Sequence, residues 1–204
     1  MTEPSLRERK KIATARELAL AALELTLEQG LAETTVEEIA ERVGYSRRTF
    51  ANHFSCKQEA VVEGFFLRLG MPGSRFEPGP SEAELPVPAT TGMIVDAAAR
   101  VYESVFSGDG AARVVEFGRV VSAEPTLAPY VHQTVFEARR AYRALLVDAG
   151  MPPARAALLL GALLCVGGVV VEELLEGDAE PADVAALVTE GLEHVRRGFA
   201  EDGD

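Results

Sequence analysis

The sequence predicts an all-α protein in which a small N-terminal three-helix domain precedes a larger helical domain. Apolar side chains recur at helical spacing in every long segment, and no segment shows the alternation of apolar and polar residues that is typical of strands. Glycine and proline residues fall mostly between these segments, where helices end and begin. With 48% hydrophobic residues among 204, the chain has enough apolar material for a packed core.

After a first predicted helix over residues 5–29, one stretch predicts two short helices joined by a tight turn. The first of the two starts at Thr34 or Thr35, because each threonine has a glutamate three residues further on, as in a capping box. Gly44 then permits a sharp turn. Ser46 caps the second short helix, which runs to about residue 52. This arrangement is a helix-turn-helix.

The second short helix presents a row of polar and basic side chains. Phe50 and Phe54 are expected to face inward, which leaves outward the groups that hydrogen-bond base edges and phosphates. Such a helix fits the roughly 12 Å wide major groove of DNA. The predicted DNA-contacting residues here are Ser46, Arg47, Arg48, Thr49, Asn52 and His53. Thr35, and Lys57 in the first turn of the next helix, are added to the same group.

The run IAERVGYSRRTFANHFSCKQEAV resembles the DNA-binding domain of TetR/AcrR-type bacterial repressors. Two positions depart from the usual pattern of that family: Ala51 stands where a phosphate-contacting tyrosine is common, and Tyr45 where a small aliphatic residue is common. The resemblance implies a dimeric repressor that binds a palindromic double-stranded DNA operator and is released from it by a small-molecule effector.

We therefore expect residues 1–57 to form the helix-turn-helix DNA-binding domain, and residues 58–204 to form a helical effector-binding and dimerisation domain. A fourth helix is predicted from residue 56 to about residue 69, preceded by a capping box of Ser55 and Gln58. Residues 70–88 contain too many glycines and prolines for a helix, and are expected to be a loop or linker.

The formal net charge of -12 is distributed unevenly along the chain. Residues 1–57 carry nine basic and nine acidic side chains, so the acidic excess lies entirely beyond residue 57. A local basic patch for phosphates is therefore compatible with an acidic protein. Arg9, Lys10 and Lys11 are predicted to contribute to it, the alternative being a solvated helix start.

Three further helices are predicted in the middle of the chain, and their aromatic and flexible side chains are candidates for a largely apolar effector. These candidates are Met93, Tyr102, Phe106, Phe117, Tyr130 and Phe136. The alternative is that they are ordinary core residues, because aromatic side chains at helical spacing usually are.

The last two helices begin at Pro153 and Pro181, and the first of them is unusually apolar. Residues 156–171 contain no charged side chain. This run is shorter than the roughly 20 residues of a membrane span, so we expect no membrane partner. A helix that is apolar all round needs burial on all sides, which favours a subunit interface. The predicted homodimer contacts are Leu160, Leu164, Val171, Leu187, Leu192 and Val195.

The sequence contains no pattern that indicates catalysis. No glycine-rich phosphate loop follows a strand, no G-x-S-x-G occurs, and the two cysteines have no metal-ligand spacing. We expect no enzyme activity, no cofactor, no metal and a cytoplasmic location. The alternative to a DNA-binding repressor is a helical protein-interaction scaffold or small-molecule carrier that does not bind DNA.

Overall fold

The computed structural model describes residues 5–70, 89–106, 108–176 and 181–199. These residues form helices and one short 3₁₀ turn, and they contain no strand, which confirms the predicted all-α class. The elements are α1 (Leu6–Gln29), α2 (Val36–Arg42), α3 (Arg47–Ala51), α4 (Lys57–Arg68), α5 (Thr91–Phe106), α6 (Gly110–Ala123), the 3₁₀ turn (Pro125–Leu127), α7 (Ala128–Asp148), α8 (Pro153–Glu176) and α9 (Pro181–Gly198).

The described residues divide into two compact units. The first holds residues 5–70 and 120–135, and the second holds the remainder. This differs from the predicted division after residue 57, because α4 packs along α1 within the first unit. Of the predicted linker at residues 70–88, all but Gly70 lies outside the described residues.

The close packing of α1 on α4 depends on a glycine. A Cβ atom on Gly64 would lie 2.2 Å from the backbone oxygen of Ala19 and 3.0 Å from Leu23 Cβ. Real Cβ atoms do not approach other atoms so closely, so only glycine allows the two helices to cross at this distance. The 3₁₀ turn also packs on α4, and its Leu127 is fully buried.

The helix starts of the first unit follow local capping rules. Ser5 forms a capping box with Glu8 at the start of α1. At α4 the predicted box of Ser55 and Gln58 is wrong. Cys56 is the N-cap without a side-chain hydrogen bond, and the Ser55 amide and hydroxyl both donate to Glu59 Oε2 at 2.7 Å. Glu59 lies in the first turn of α4 and reaches back to Ser55.

In the second unit, α9 packs on both α5 and α8. Arg196 of α9 forms an ion pair of 2.5 Å with Asp96 of α5. Arg155, near the start of α8, donates to Thr91 Oγ1 at 2.9 Å and to the carbonyl oxygen of Phe199. These polar contacts fix the ends of α5, α8 and α9 relative to one another.

Within the part of the chain that the structure describes, α8 is the one helix long and apolar enough to cross a membrane by length and composition alone. Its apolar window is only 22% buried within the single chain. The run free of charged side chains, residues 156–171, would rise about 24 Å as a helix, short of the ~30 Å hydrocarbon core. The low burial leaves an apolar helix face uncovered.

Candidate nucleic-acid interface

The recognition helix α3 is started by a glycine turn and a serine cap. Gly44 has a φ of +74°, a left-handed conformation that glycine adopts readily. Ser46 Oγ then accepts a hydrogen bond of 3.1 Å from the Thr49 amide, and the two hydroxyls lie 3.0 Å apart. The side chain of Ser46 therefore caps α3 in the free protein, and it also hydrogen-bonds with the hydroxyl of Thr49; both residues are predicted DNA contacts.

The inner side of α3 is fixed by two phenylalanines. Phe50 and Phe54 are both buried, and their ring centroids lie 5.5 Å apart. Arg47, Arg48 and Asn52 are exposed. Arg48 and Asn52 stand four residues apart, so they share one face of the short helical segment. The structure thus brings these three predicted contacts together on the surface opposite a rigid core.

The two arginines of α3 differ in their surroundings. Arg47 forms an ion pair of 2.9 Å with Glu37 of α2, and both side chains are more than half exposed. Exposed pairs of this kind contribute only about 0–1 kcal/mol, so a DNA phosphate can replace Glu37 at little cost. Arg48 has no ion-pair partner among the residues that the structure describes. Both guanidinium groups are accessible to a ligand.

Thr35 caps α2. Its hydroxyl accepts from the Glu38 amide at 3.2 Å and donates to Glu38 Oε2 at 2.8 Å, while its own amide donates to the same carboxylate at 2.9 Å. The hydrogen bonds from the Thr35 hydroxyl and amide hold the pKa of the Glu38 carboxyl below its ordinary value. The hydroxyl that we predicted as a DNA contact is thus engaged within the protein.

Lys57 also has internal partners. Its Nζ donates to the carbonyl oxygens of Leu31 at 2.6 Å, Ala32 at 3.3 Å and Thr34 at 2.8 Å. An ammonium group carries three protons, and these three acceptors account for all of them. We predicted Lys57 as a phosphate contact, but in the structure its side chain is half-buried and bonded to the turn between α1 and α2.

The remaining predicted DNA contacts lie in two places. Arg9, Lys10 and Lys11 are exposed in the first turns of α1. His53 is half-buried at the end of α3.

Sequence reasoning missed a side-chain contact at Tyr45. Its hydroxyl donates to Glu17 Oε2 at 2.8 Å and accepts from Thr14 Oγ1 at 3.4 Å, which joins the turn of the helix-turn-helix to α1. The signal was present in the sequence, because a large polar aromatic side chain stands at a position where the resemblance leads one to expect a small aliphatic residue.

The six candidate effector residues lie in different surroundings. Phe117 is buried, whereas Met93 and Phe136 are exposed. The Tyr102 hydroxyl donates to the Leu163 carbonyl oxygen, and the ring lies 6.2 Å from that of Phe106. The sixth residue, Tyr130, belongs to the first unit, where its hydroxyl hydrogen-bonds with the Cys56 side chain.

The predicted dimer contacts are only partly accessible. Leu164 is exposed, and Leu160, Val171 and Leu187 are half-buried. Leu192 and Val195 are buried within the chain, because α9 turns this side toward its neighbours α5 and α8. Other large apolar side chains of α8 are exposed instead, namely Leu158, Val169 and Leu175.

A groove of about 410 Å³ runs between α8 and α9 in the second unit. Its walls are largely apolar, and none of the six candidate effector residues lines it. Its lining residues are Ala162, Cys165, Val166, Val169, Val170, Leu187, Glu190, Gly191, His194 and Val195.

Together, α2, the glycine turn and the capped α3 form a helix-turn-helix. Its recognition helix α3 exposes Arg47, Arg48 and Asn52. An arrangement of this kind is typical of DNA-binding proteins that place one helix in the major groove. Residues 18–63 match the family model described as "Bacterial regulatory proteins, tetR family".

A curated relative is the HTH-type transcriptional regulator TcmR of Streptomyces glaucescens, which is 35% identical over 139 residues. The match covers 64% of this chain and 58% of TcmR, so the chain spans less than two thirds of that relative's length.

Two solved structures are also similar. A putative TetR-family transcriptional regulator from Mesorhizobium loti has a TM-score of 0.50 at 15% identity, covering 94% of this chain and 99% of that one. A TetR transcriptional regulator from Rhodococcus sp. RHA1 has a TM-score of 0.48 at 18% identity, covering 95% and 99%. At these identities, the first likeness supports the fold alone.

Proposed function

We propose that the chain acts as a homodimeric, ligand-responsive repressor. In this proposal α3 from each of two subunits enters the major groove of a palindromic operator. A largely apolar small molecule bound in the second unit then lowers operator affinity. The alternative, a scaffold or carrier that does not bind DNA, has no comparable observation in its favour.

The observation that carries the proposal is the outward face of α3. Arg48 and Asn52 are exposed on one face, while Phe50 is buried on the opposite side. Arginine pairs in a bidentate manner with guanine, and asparagine with adenine. Because Ser46 and the phenylalanine core fix the helix, these groups are held ready before DNA arrives. Such preorganisation reduces the ordering cost of binding.

Dimerisation is supported by the uncovered apolar surface of α8. Leu158, Leu164 and Val169 are exposed in the single chain, and the apolar groove toward α9 lies beside them. An apolar surface of this kind is typical of an interaction site. A second copy packed on α8 and the exposed side of α9 would cover this apolar surface. The dimer would then carry two copies of α3, one for each half-site of the operator.

For the effector, the half-buried Tyr102 and Phe106 and the buried Phe117 remain our proposed contacts. Release of DNA requires that the small molecule bind the DNA-incompetent state more tightly than the competent one. An effector with equal affinity for both states would not change operator binding.

The direct test is binding to the DNA that flanks this gene. The wild-type protein should retard one intergenic duplex in preference to a scrambled duplex of the same length, with an affinity that falls steeply as salt rises. Arg48→Ala should weaken that binding. Candidate small molecules would then be screened for thermal stabilisation of the protein and for loss of the shift. If the wild-type protein prefers no intergenic duplex at low salt, the repressor proposal is wrong.

A further inference from the structure

The turn between α1 and α2 directs several carbonyl oxygens toward one point. Gly30 ends α1 with a φ of +86°, and the buried Thr34 then donates from its hydroxyl to the Gly30 carbonyl oxygen at 2.8 Å. The carbonyl oxygens of Leu31, Ala32 and Thr34 converge on Lys57 Nζ. Leu31 and Thr34 are buried, so their carbonyl oxygens need donors, and Lys57 supplies both while also bonding to the exposed Ala32.

The position of Lys57 in α4 is otherwise unfavourable. It is the first residue of the helix, where the helix dipole disfavours a positive charge. The three carbonyl oxygens supply the negative partial charge that the helix start lacks. The charge is therefore explained by a bond to the α1–α2 turn, without a DNA phosphate.

The bonds of Lys57 act on the start of α2. Thr34 is followed directly by Thr35, the N-cap of α2, so Lys57 connects the first turn of α4 with the entry of α2. From α2 the chain passes through the Gly44 turn into α3, and Glu37 of α2 is ion-paired with Arg47. A shift of α2 would therefore displace the reading helix.

We propose that Lys57 is a positioning residue, which orients α2 and α3 through the α1–α2 turn and does not contact phosphate. The proposal rests on the function proposed above for α3. A positioning role and a phosphate contact have different effects on DNA binding when the side chain is removed. Loss of a phosphate contact weakens binding to all DNA sequences about equally and lowers the salt slope by about 0.9 for each contact. Loss of positioning weakens specific binding and leaves the slope unchanged.

The first experiment needs no DNA. Amide hydrogen exchange would be compared between the full-length wild-type protein, Lys57→Met, and Lys10→Met as a matched control of the same chemistry on the exposed start of α1. Lys57→Met should speed exchange about tenfold in α2 and its preceding turn, because charged hydrogen bonds are lost there, with α1 unchanged. Lys10→Met should change neither. Unchanged exchange in α2, or an equal increase in every helix, would overturn the proposal.

The second experiment uses the intergenic duplex that the wild-type protein retards, and a scrambled duplex of equal length, across a salt series. Lys57→Met should lose about tenfold in affinity for the first duplex only, with the salt slope unchanged. Lys57→Arg, which keeps a charged donor, should recover part of the loss. Lys10→Met should weaken both duplexes and lower the slope.

Equal weakening of both duplexes by Lys57→Met, with a lower slope, would make Lys57 a phosphate contact and refute the proposal. Failure of the wild-type protein to prefer any duplex would contradict the repressor function, while the exchange experiment still decides whether Lys57 holds α2.

Discussion

The Tyr45 hydroxyl donates a hydrogen bond of 2.8 Å to Glu17 Oε2, which joins the turn of the helix-turn-helix to the middle of α1. Thr14, one turn earlier on α1, donates to the same hydroxyl at 3.4 Å. Because Tyr45 directly follows Gly44, the glycine turn of the motif is held to α1 by a side chain. The orientation of α3 therefore depends on α1 as well as on α2.

Tyr45→Phe removes this bond and keeps the ring. We expect the free energy of unfolding to fall by about 1 kcal/mol, as for a typical intramolecular hydrogen bond. Urea denaturation at pH 7 measures the change. The matched control is Tyr142→Phe, because the Tyr142 hydroxyl is buried without a hydrogen-bond partner among the described residues. That variant should be neutral or stabilising. Equal losses in both variants would contradict the role given to Tyr45.

Gly64→Ala tests the close crossing of α1 and α4. The added Cβ would lie 2.2 Å from the Ala19 carbonyl oxygen, which belongs to rigid helix backbone. We expect a destabilisation of about 1–3 kcal/mol, the usual cost of overpacking a core. In the control Gly92→Ala, the Cβ would meet only a side-chain nitrogen of Arg196, at 3.5 Å. Thermal melting should show Gly92→Ala within about 0.5 kcal/mol of wild type. A neutral Gly64→Ala would show that the helices separate freely.

Because of Tyr102, we expect the free energy of unfolding to depend on pH in the alkaline range. Burial raises the pKa of its hydroxyl to about 12. Unfolded tyrosine ionises near pH 10, so between about pH 10 and pH 12 the unfolded state loses a proton that the folded state keeps. This tyrosine should therefore remove up to about 2 kcal/mol of stability as pH rises through that window.

The measurement is the urea midpoint of wild type and Tyr102→Phe at pH 9 and pH 11. Below pH 10 the variant should differ from wild type by a constant amount, because it lacks the hydrogen bond to the Leu163 carbonyl. At pH 11 the difference should shift in favour of the variant. A difference that stays constant at both pH values would show that the hydroxyl is hydrated in the folded protein.

Leu158→Lys tests the proposed subunit interface. The Leu158 side chain is 65% exposed in the single chain, so the change should leave the subunit folded while placing a charge on the uncovered face of α8. Sedimentation should show a dimer for wild type and a monomer for the variant at micromolar concentration. Leu6→Lys is the control, because Leu6 is 63% exposed at the start of α1. If the wild-type protein is a monomer, the uncovered face of α8 does not form a homodimer interface and would instead bind a different partner.

The helix limits were largely predictable because caps and terminators are local. Thr35 and Ser46 are the N-caps of α2 and α3, so the sequence alone indicates where these two helices begin. The partners of Lys57 and Tyr45 are remote in the chain, and only the packing of α1 on α2 and α4 brings them together. Periodicity likewise identifies an apolar side of α9. Periodicity does not distinguish burial within the chain from burial against a second subunit. The structure shows that Leu192 is buried within the chain.

The most direct test of the reading role of α3 is selection of preferred sequences from a random duplex library. Wild type and Asn52→Ala would be compared with Lys10→Met, a variant in which one proposed phosphate contact is removed. Asn52→Ala should relax or change the preference at one position in each half-site, at a cost of about 1–3 kcal/mol for the original sequence. Lys10→Met should keep the wild-type preference with weaker binding. An identical selected sequence for wild type, Asn52→Ala, Thr49→Ala and Arg48→Ala would show that α3 does not read the bases.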